Sequence, residues 1–342
     1  MMMVEMFPAR EGDCLILTWG KTNKRHRMLI DAGRKATASA VLEYATKNSF
    51  GPDAFELFVV THIDRDHIEG AVKLLRSAEF QPLVKEVWFN GRGELEYPEP
   101  SNRFEAFGAL DGERLTSLIE KHEIDWNTRF PGDAIAIPDD GYLPSVTLPG
   151  GLVLTLLSPD HDQLAALAKP WDDTLERARP GWEELGEEPS LDELADVKFR
   201  SDGAKPNASS IAFVAEFEGH RILFTGDAHV ARLRQSLSKY RETNEGPFTL
   251  VKASHHGSRG NTSLDLVREL DCSTWLFSTN GDQFRHPDKE AVARVIKGSN
   301  KPVHLHFNYK TVYNELWQSG EHSGVHFEVT YGEDGFLTVG LD

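Results

Sequence analysis

The sequence predicts a layered α/β fold in which strands and helices alternate along the chain. Short apolar runs bounded by glycine, aspartate or asparagine recur from end to end, as is typical of buried strands. Helical periodicity appears between these runs. Two sheets covered by helices and a single doubly wound parallel sheet both satisfy this alternation, so the pattern leaves the two architectures open.

The predicted elements place polar residues at strand ends. Eight runs are predicted as strands: Asp13–Trp19, Arg27–Asp31, Glu56–Thr61, Leu152–Ser158, Ser209–Phe217, Arg221–Thr225, Phe248–Ala253 and Trp275–Thr279. Five segments are predicted as helices: Ala38–Lys47, Ile68–Arg76, Phe104–Lys121, Leu264–Leu270 and Lys289–Lys297. Several strands lead directly into Asp, His or Asn, and layered α/β folds usually keep their sites at such ends.

Length and composition narrow the class of protein. The 342 residues are enough to bury a substantial core, and the formal charge of −17 repels nucleic acid at long range, although carboxylates that bind metal are neutralised locally.

Cys14 and Cys272 are the only cysteines, and they provide neither a disulfide framework nor a thiolate zinc site. Met1–Pro8 has no signal-peptide pattern, and no apolar run approaches the roughly 20 residues of a membrane span. We therefore expect a cytoplasmic protein without a membrane partner.

The stretch from Asp160 to Lys205 differs from the rest of the chain. It is acidic and contains three prolines and two tryptophans, Trp171 and Trp182, that we expect to be exposed. An insertion or lid between two core strands is one interpretation. A solvated helical excursion without function is the more common explanation for such a run.

The segment Thr61–Gly70 concentrates potential metal ligands directly after an apolar strand. His62, Asp64, Asp66 and His67 fall within six residues. Because residues two apart in an extended loop point the same way, the first two can hold one ion while the last two turn to a second. Zinc and manganese accept imidazole and carboxylate together, and two such ions can bridge and deprotonate a water.

Helix capping is the alternative explanation for this segment. Asp64 or Asp66 would then cap the helix predicted to begin near Ile68. Capping accounts for one aspartate and leaves both histidines unexplained, which favours metal binding.

This segment resembles the signature of metallo-β-lactamase-fold hydrolases, whose usual form is His-x-His-x-Asp-His. Asp64 stands where the second histidine is usual, as it does in the hydrolase domain of ComEC-type DNA-uptake proteins and their free-standing relatives. The resemblance implies the αββα four-layer sandwich of that fold. It also implies one metallo-hydrolase domain over residues 1–342, with the insertion or lid at 160–205.

Further blocks resemble the same family in the same order along the chain. They are Arg10–Leu17 with Leu29–Gly33, Pro206–Ile211 leading into Ile222–Ala228, Lys252–Ser258, and Asn280–Pro287. Together the blocks extend over roughly Glu11 to Pro287, so the match is more specific than any single motif.

The resemblance also implies roles for the site residues. Asp227 is expected to bridge two divalent ions, zinc or manganese, with Asp31 beside them, while His286 is favoured as the remaining ligand and His255 competes with it. Whichever of His255, His256 and His286 does not bind metal is expected to protonate the leaving oxygen or hold its developing charge. The predicted metal ligands are His62, Asp64, Asp66, His67, Asp227, His255 and His286, and the predicted catalytic residues are Asp66, His255 and His256.

One ligand of the usual family pattern is missing. A histidine just before the bridging aspartate normally completes the first site, but here that place falls at Asn207–Ser210. His161 is another source of imidazole, although a surface position is the more ordinary interpretation of it. The segment after Pro287 is expected to continue the second sheet. Its four histidines lack ligand spacing: His304, His306, His322 and His326.

The implied mechanism is attack by a metal-bound hydroxide, with Asp66 orienting the nucleophile or accepting its proton. The oxygen ligand at Asp64 makes the site harder and favours manganese somewhat more than an all-histidine site would. A phosphodiesterase or nuclease is the leading hypothesis, because the ComEC-type domain is thought to degrade DNA. Nucleic acid would need a local basic strip, for which Lys252, Arg259 and Arg285 are candidates, although surface charge without function fits them equally well.

Two other functions remain open. The fold also supports hydrolysis of small esters, thioesters or lactones, and fold alone does not choose the substrate. A non-catalytic or signalling subunit that binds partners through the acidic segment is the third hypothesis. The expected partner is therefore a phosphodiester or another small molecule, and the sequence says nothing about oligomeric state.

Overall fold

The chain forms two mixed sheets with helices on their outer faces. A computed structural model describes residues 1–91, 105–130, 134–168 and 190–341. The strands of the first half are β1 (Met2–Met6), β2 (Leu15–Lys21), β3 (Lys24–Ile30), β4 (Leu57–Val59), β5 (Glu86–Trp88), β6 (Asp125–Trp126), β7 (Ser145–Thr147) and β8 (Val153–Ser158). Those of the second half are β9 (Ala212–Phe217), β10 (His220–Phe224), β11 (Leu250–Lys252), β12 (Thr274–Phe277), β13 (His304–Phe307), β14 (Glu321–His322), β15 (Val325–His326), β16 (Glu328–Tyr331) and β17 (Leu337–Leu341).

The helices come between these strands. The α-helices are α1 (Lys35–Lys47), α2 (Arg65–Arg76), α3 (Glu105–Lys121), α4 (His161–Ala168), α5 (Leu191–Asp196), α6 (Lys205–Ala208), α7 (Val230–Arg241), α8 (Leu264–Leu270) and α9 (Lys289–Gly298). Single 3-10 turns occur at Gln81–Leu83, Pro149–Gly151, Ser254–Gly257 and Glu315–Trp317. None of the helices within the described ranges has the length and apolar character needed to cross a membrane.

The first sheet contains β1 to β6 with the C-terminal β17, and the second contains β7 to β13 with β16. In the described residues the first sheet has the strand order β17-β1-β2-β3-β4-β5-β6, and the second has the order β16-β13-β12-β11-β10-β9-β8-β7. Strands β3, β4 and β5 run parallel, as do β10, β11, β12 and β13. Strand β6 is also parallel to β5, and β16 to β13, whereas the remaining neighbours are antiparallel, so both sheets are mixed.

Three apolar cores separate the layers. Along β2, Leu15 and Leu17 join a core between the sheets, whereas Ile16 joins the core beneath α1, α2 and α3. Along β12, Leu276 faces the first sheet, whereas Trp275 and Phe277 pack with α7, α8 and α9. This alternation follows from the two-residue period of a strand. It confirms the αββα four-layer sandwich and excludes a single doubly wound sheet.

The predicted strands and helices are present, with their ends shifted by a few residues. The last strand differs from expectation. Strands β13 and β16 extend the second sheet as predicted, but β17 pairs antiparallel with β1 at the edge of the first sheet. Val339 and Leu341 thereby bury their side chains between the sheets.

The acidic stretch is described at both of its ends. His161 begins α4 with an exposed side chain, residues 169–189 lie outside the described part, and Ser190 begins the return towards the second sheet. Ser190 caps α5 by accepting the Glu193 N–H, while the Glu193 carboxylate accepts the Ser190 N–H. This capping box fixes the start of residues 190–205, which we call the returning limb.

Candidate metal centre

The candidate site lies where the carboxyl ends of the parallel strands from both sheets meet. Asp31 follows β3 and His62 follows β4, while Asp227 follows β10 and His255 follows β11. Parallel neighbours end at the same edge of a sheet, so short loops bring these side chains together. Gly12 permits the close approach of the β1–β2 hairpin, since a Cβ there would lie 1.8 Å from the Asp66 carbonyl oxygen.

The segment after β4 turns into a helix three residues earlier than the sequence predicts, at Arg65 rather than near Ile68. Helix α2 starts at Arg65, and Asp64 occupies its N-cap position without a side-chain capping bond. Its Oδ2 instead lies 3.6 Å from His62 Nε2. Asp66 and His67 fall in the first turn of α2 and are both buried. Capping therefore does not account for Asp64.

Four imidazoles converge on a single carboxylate oxygen. Asp227 is 2 % exposed, and its backbone is held by a hydrogen bond from its N–H to Ser210 Oγ. The distances from Asp227 Oδ2 to the four Nε2 atoms are 3.8 Å for His62, 3.6 Å for His67, 3.8 Å for His255 and 3.9 Å for His256. A second carboxylate joins them, since Asp66 Oδ2 lies 3.5 Å from the His256 Nε2 atom.

Asp31 orients two of these imidazoles from behind. Its Oδ2 accepts hydrogen bonds from His67 Nδ1 at 2.8 Å and from the Thr61 hydroxyl at 2.8 Å. Because the Thr61 hydroxyl donates its only proton to Asp31, it acts as the acceptor for His62 Nδ1, at 3.0 Å. Both rings thereby keep a proton on Nδ1 and direct the Nε2 atom at Asp227.

Asp13 and a backbone carbonyl hold His256. The His256 Nδ1 atom donates to the Ser278 carbonyl at 3.0 Å and lies 3.3 Å from Asp13 Oδ1. Asp13 Oδ2 accepts from the buried Lys252 ammonium at 2.6 Å. Burial alone would raise the pKa of Asp13, but Lys252 and His256 outweigh it and lower that pKa well below its usual range.

His255 is held by three polar side chains from other loops. Its Nδ1 atom lies 3.3 Å from Asp202 Oδ2, 3.1 Å from Asn261 Oδ1 and 3.2 Å from Asn207 Nδ2. The place where the usual family pattern has a histidine is thus occupied by Asn207, whose amide faces the His255 ring. His255 itself, arriving from the β11 loop, directs its Nε2 atom towards Asp227.

The backbone at the adjacent histidines explains how both rings reach the same carboxylate. His255 has φ of 46° and His256 has φ of 56°, so two successive non-glycine residues adopt the left-handed conformation. Each such residue costs of order 1–3 kcal/mol and persists only where its surroundings fix it. In an extended strand the two rings would point in opposite directions.

The pKa values show a cluster in which buried carboxylates attract positive charge. Burial raises the pKa of Asp227, but His255, His67 and His256 outweigh it and lower that pKa well below the usual range. Burial lowers the pKa of His67, yet Asp227 and Asp31 raise it well above the ordinary value. Burial also lowers the pKa of His256, but Asp227 and Asp13 outweigh it and raise that pKa to about 9. Protons on the imidazoles supply the positive charge that a bound cation would otherwise bring.

The donor set fits divalent metal ions. The Nε2 atoms of His62, His67 and His256 and the Oδ1 atom of Asp227 are buried without a hydrogen-bond partner. Burying a polar atom without a partner costs free energy. A cation bound among these converging atoms would remove that cost by accepting their lone pairs. Two groups in the described residues have the spacing of a metal site, His62-His67-Asp227 and Asp13-His67-His256. Since Lys252 already neutralises Asp13, we assign Asp13 to holding His256 rather than to the ion.

His286 lies behind the converging atoms. Its ring stands 5.3 Å from the His255 ring and 6.1 Å from Phe284, and its Nδ1 atom lies 3.6 Å from Asp288 Oδ2. Within the described residues, the carboxylate that His286 approaches is Asp288 rather than Asp227. Its role as a metal ligand stays a prediction.

Other predicted residues lie outside the cluster. The exposed His161 begins α4, and neither metal-like group of the described residues contains it or the four histidines after Pro287. The predicted basic strip is wrong in one member, because Lys252 is 1 % exposed and paired with Asp13. Arg259 pairs with Glu290 at 2.8 Å, whereas Arg285 is exposed.

The sequence analysis did not find three supporting residues. Asp13, Asp202 and Asn261 hold His256 or His255, yet none of them has a histidine directly beside it in the sequence. The only signal for Asp13 is its place in the resembling block Arg10–Leu17. Asp202 has no such signal because His255 lies dozens of residues away, and Asn261, six residues after His255, looks like an ordinary turn asparagine.

Several known structures are similar to this chain at low identity and at TM-scores below 0.5. The metallo-β-lactamase fold protein YhfI from Bacillus subtilis is 9% identical, with 89% of this chain and 95% of YhfI covered and a TM-score of 0.44. The short form of human tRNase Z is 12% identical, with 99% of both chains covered and a TM-score of 0.43. A variant of the β-hydroxylase CmlA is 12% identical at a TM-score of 0.41, and the chain spans about half of its length, 54%. No protein-family model and no curated protein matches the sequence. At this level of similarity, the reaction has to be argued from the site itself.

Proposed function

We propose that this protein is a hydrolase that uses two divalent metal ions to cleave phosphodiester bonds. The observation that carries the proposal is the convergence of four imidazole Nε2 atoms on Asp227 Oδ2, at 3.6 to 3.9 Å. Three of those nitrogens are buried without a hydrogen-bond partner. A structural role alone would not favour orphaned nitrogens around a buried carboxylate.

The side chains divide into two ligand sets that share Asp227. His62, Asp64 and His255 form one set, in which His255 takes the place of the imidazole missing at Asn207. Asp66, His67 and His256 form the other set. When bound, two such ions would acidify a water and stabilise charge on the oxygens of a phosphoryl group. Manganese and zinc both suit imidazole mixed with carboxylate.

The number of carboxylates supports a phosphoryl substrate. Asp64, Asp66 and Asp227 supply oxygen ligands, and oxygen-rich sites prefer the harder ions that also bind phosphate oxygens. An ester or thioester carbonyl has less negative charge to offer such ions. Phosphodiesters are therefore the favoured substrate class.

Asp66 and His286 are assigned the remaining tasks at the reacting atoms. Burial would raise the pKa of Asp66, but hydrogen bonding to His256 and the charge of His67 lower it well below its usual range. Asp66 is thus ionised at neutral pH and orients a water by accepting its hydrogen bond. His286 is the imidazole left to donate a hydrogen bond to the developing charge on the leaving oxygen, since His255 and His256 both point at Asp227. Burial lowers the pKa of His286, so its ring is neutral at rest.

The charge of the whole chain favours short substrates over long nucleic acid. The net charge of −17 repels a polyanion, and with Lys252 buried, Arg285 is the exposed member of the predicted basic strip. A short phosphodiester presents one or two charges and loses little from this repulsion.

A substrate panel combined with Asp66→Ala tests the proposal. Purified protein would be loaded with Mn²⁺ or Zn²⁺, its metal content measured by mass spectrometry, and its activity measured on a bis-aryl phosphate, a dinucleotide, single- and double-stranded DNA, RNA and a thioester. We expect kcat/KM to be highest on the small phosphodiesters. In Asp66→Ala, kcat/KM on these phosphodiesters should fall at least about 100-fold. Loss of a residue that only supports a metal ligand typically costs 10–100-fold in activity or metal affinity.

Asp265→Ala is the matched control, since Asp265 is exposed on α8 and pairs with Arg234. It should retain full activity and metal content. Phosphodiester cleavage that survives Asp66→Ala would overturn the proposed site. Faster thioester than phosphodiester cleavage would assign the enzyme to the second class of hydrolases.

A further inference from the structure

We infer that Asp202 is a positioning residue that holds His255 in the orientation needed to bind one of the two metal ions. The inference rests on the proposed function, because it assigns His255 to a ligand set. The contact that carries the inference joins Asp202 Oδ2 to His255 Nδ1, at 3.3 Å. The effect of Asp202 would pass through the His255 ring.

Asp202 sits at the centre of a polar network that closes around His255. Its Oδ2 lies 3.3 Å from His255 Nδ1 and accepts hydrogen bonds from Asn207 Nδ2 at 2.7 Å and Asn261 Nδ2 at 3.2 Å. Its Oδ1 accepts the Ala204 N–H at 2.9 Å. These donors occupy the carboxylate, so Asp202 is built to support the ring rather than to bind the ion itself.

The network sets which ring nitrogen of His255 carries the proton. Two acceptors face Nδ1, Asp202 Oδ2 and Asn261 Oδ1, and the Asn261 oxygen is fixed because its amide nitrogen donates to the Asp227 carbonyl at 3.1 Å. The Asn207 amide lies near the same nitrogen, but its shorter hydrogen bond goes to Asp202. Nδ1 therefore keeps a proton, and Nε2 is the ring nitrogen that faces Asp227.

Asp202 enters the site from the end of the acidic stretch. The limb that carries it is joined to the loop after β11 by the hydrogen bond from the Asp202 N–H to the Gly260 carbonyl at 3.0 Å. Arg294 on α9 donates to Val197 O on the same limb at 2.7 Å and to Thr262 O at 2.9 Å. The returning limb is thus tied to the metal centre through side chains and backbone, and it supplies a residue that the centre needs.

Metal titration of the full-length protein tests this inference without relying on catalysis. Mn²⁺ and Zn²⁺ binding would be measured by calorimetry and, for Mn²⁺, by electron paramagnetic resonance, for wild type, Asp202→Ala, Asp202→Asn and His255→Ala. We expect Asp202→Ala to weaken the binding of one of the two ions by about 10–100-fold. The affinity for the other ion should stay within about twofold of the wild-type value. The same ion should be lost in His255→Ala, and the double variant should bind no more weakly than His255→Ala alone.

Two variants guard against a purely structural explanation. Asp192→Ala removes an exposed carboxylate of the same limb that pairs with Lys297 at 2.5 Å, and it should bind both ions as wild type does. Asp202→Asn keeps an acceptor oxygen and should fall between wild type and Asp202→Ala. If Asp202→Ala does not fold, the asparagine variant carries the test.

The outcomes separate this inference from the proposed function. Unchanged affinity for both ions in the folded Asp202 variants, or equal weakening of both, would overturn the positioning role. Normal binding of two ions without phosphodiester cleavage would overturn the proposed function alone. A wild-type protein that binds no divalent ion would overturn both.

Discussion

Each imidazole of the candidate centre has a fixed partner at its Nδ1 atom. Thr61 holds His62, Asp31 holds His67, Ser278 and Asp13 hold His256, and Asp202 holds His255. A ring held in this way loses little freedom when it binds an ion, so the support contributes to affinity as well as to geometry. The residues that do this supporting are as buried as the ligands.

The ion pair between Lys252 and Asp13 is the support whose removal should cost the most stability. Both side chains are buried, so Lys252→Met leaves a carboxylate without its counter-charge. We expect the free energy of unfolding to fall by about 3–5 kcal/mol at pH 7. Urea denaturation in the presence of a chelator measures this loss without a contribution from bound metal.

The pH dependence of that loss follows from the pKa of Asp13. In the wild type this pKa is lowered well below its unfolded value of about 4, so the stabilisation is present above pH 4 and is lost as pH falls below it. In Lys252→Met, burial raises the pKa instead, and protonation relieves the penalty. The difference between the two proteins should therefore shrink below pH 4. Lys239→Met, at an exposed lysine, should show no such difference, and a constant difference from pH 7 to pH 3 would contradict the assignment.

Among the elements, α5 depends on one buried arginine for its attachment to α9. Arg294 is 2 % exposed and donates to four carbonyl groups, those of Ala195, Val197, Arg259 and Thr262. The guanidinium fork suits this task because it offers five donors in a fixed plane. The Asp202 N–H and Lys297 add further polar contacts between the returning limb and the rest of the second half.

Arg294→Met should release this limb before the rest of the fold. We expect a loss of roughly 2–4 kcal/mol, since several carbonyl groups lose a charged donor at once. Hydrogen exchange should accelerate in α5 and in residues 197–202 while β10 and β11 stay protected. Arg268→Met, at an exposed arginine of α8, is the control and should exchange like wild type. Uniform acceleration across both sheets would show that Arg294 supports the whole fold instead.

At the scale of the whole molecule, the metal centre joins the two sheets. Asp31, His62 and His67 come from the first sheet, whereas Asp227 and the two histidines after β11 come from the second. An ion bound by both sets links the halves of the sandwich. Metal binding and folding stability are therefore expected to be coupled.

Removal of metal should lower the thermal stability of the protein. A ligand present at 1,000 times its Kd stabilises the folded state by about 4 kcal/mol, so Tm should fall by several degrees on treatment with a chelator and recover when Mn²⁺ or Zn²⁺ is added back. Asp227→Asn removes the shared ligand and should abolish most of this shift. Calorimetric melts of both proteins measure it, and an identical Tm with and without chelator in the wild type would contradict a linking ion.

What could be read from the sequence follows from how local each signal is. The strands and most of the long helices can be predicted from apolar periodicity, because an element that buries one face has apolar residues at regular positions along its own sequence. The cluster His62, Asp64, Asp66 and His67 is visible in the sequence for the same reason, since six successive residues necessarily lie close together in space. Helix α7 was missed because its polar composition weakens the periodic signal.

The sequence by itself determined the layered α/β class, the cluster after β4 and, through resemblance, the αββα sandwich and the place of Asp227. Only the tertiary structure decided that β17 returns to the first sheet, that Lys252 is buried, and that Asp202 and Asp13 stand behind His255 and His256. These outcomes depend on contacts between residues far apart in the chain. Periodicity and motif spacing report on a residue's neighbours in sequence, whereas a supporting hydrogen bond depends on which strand ends the fold brings together.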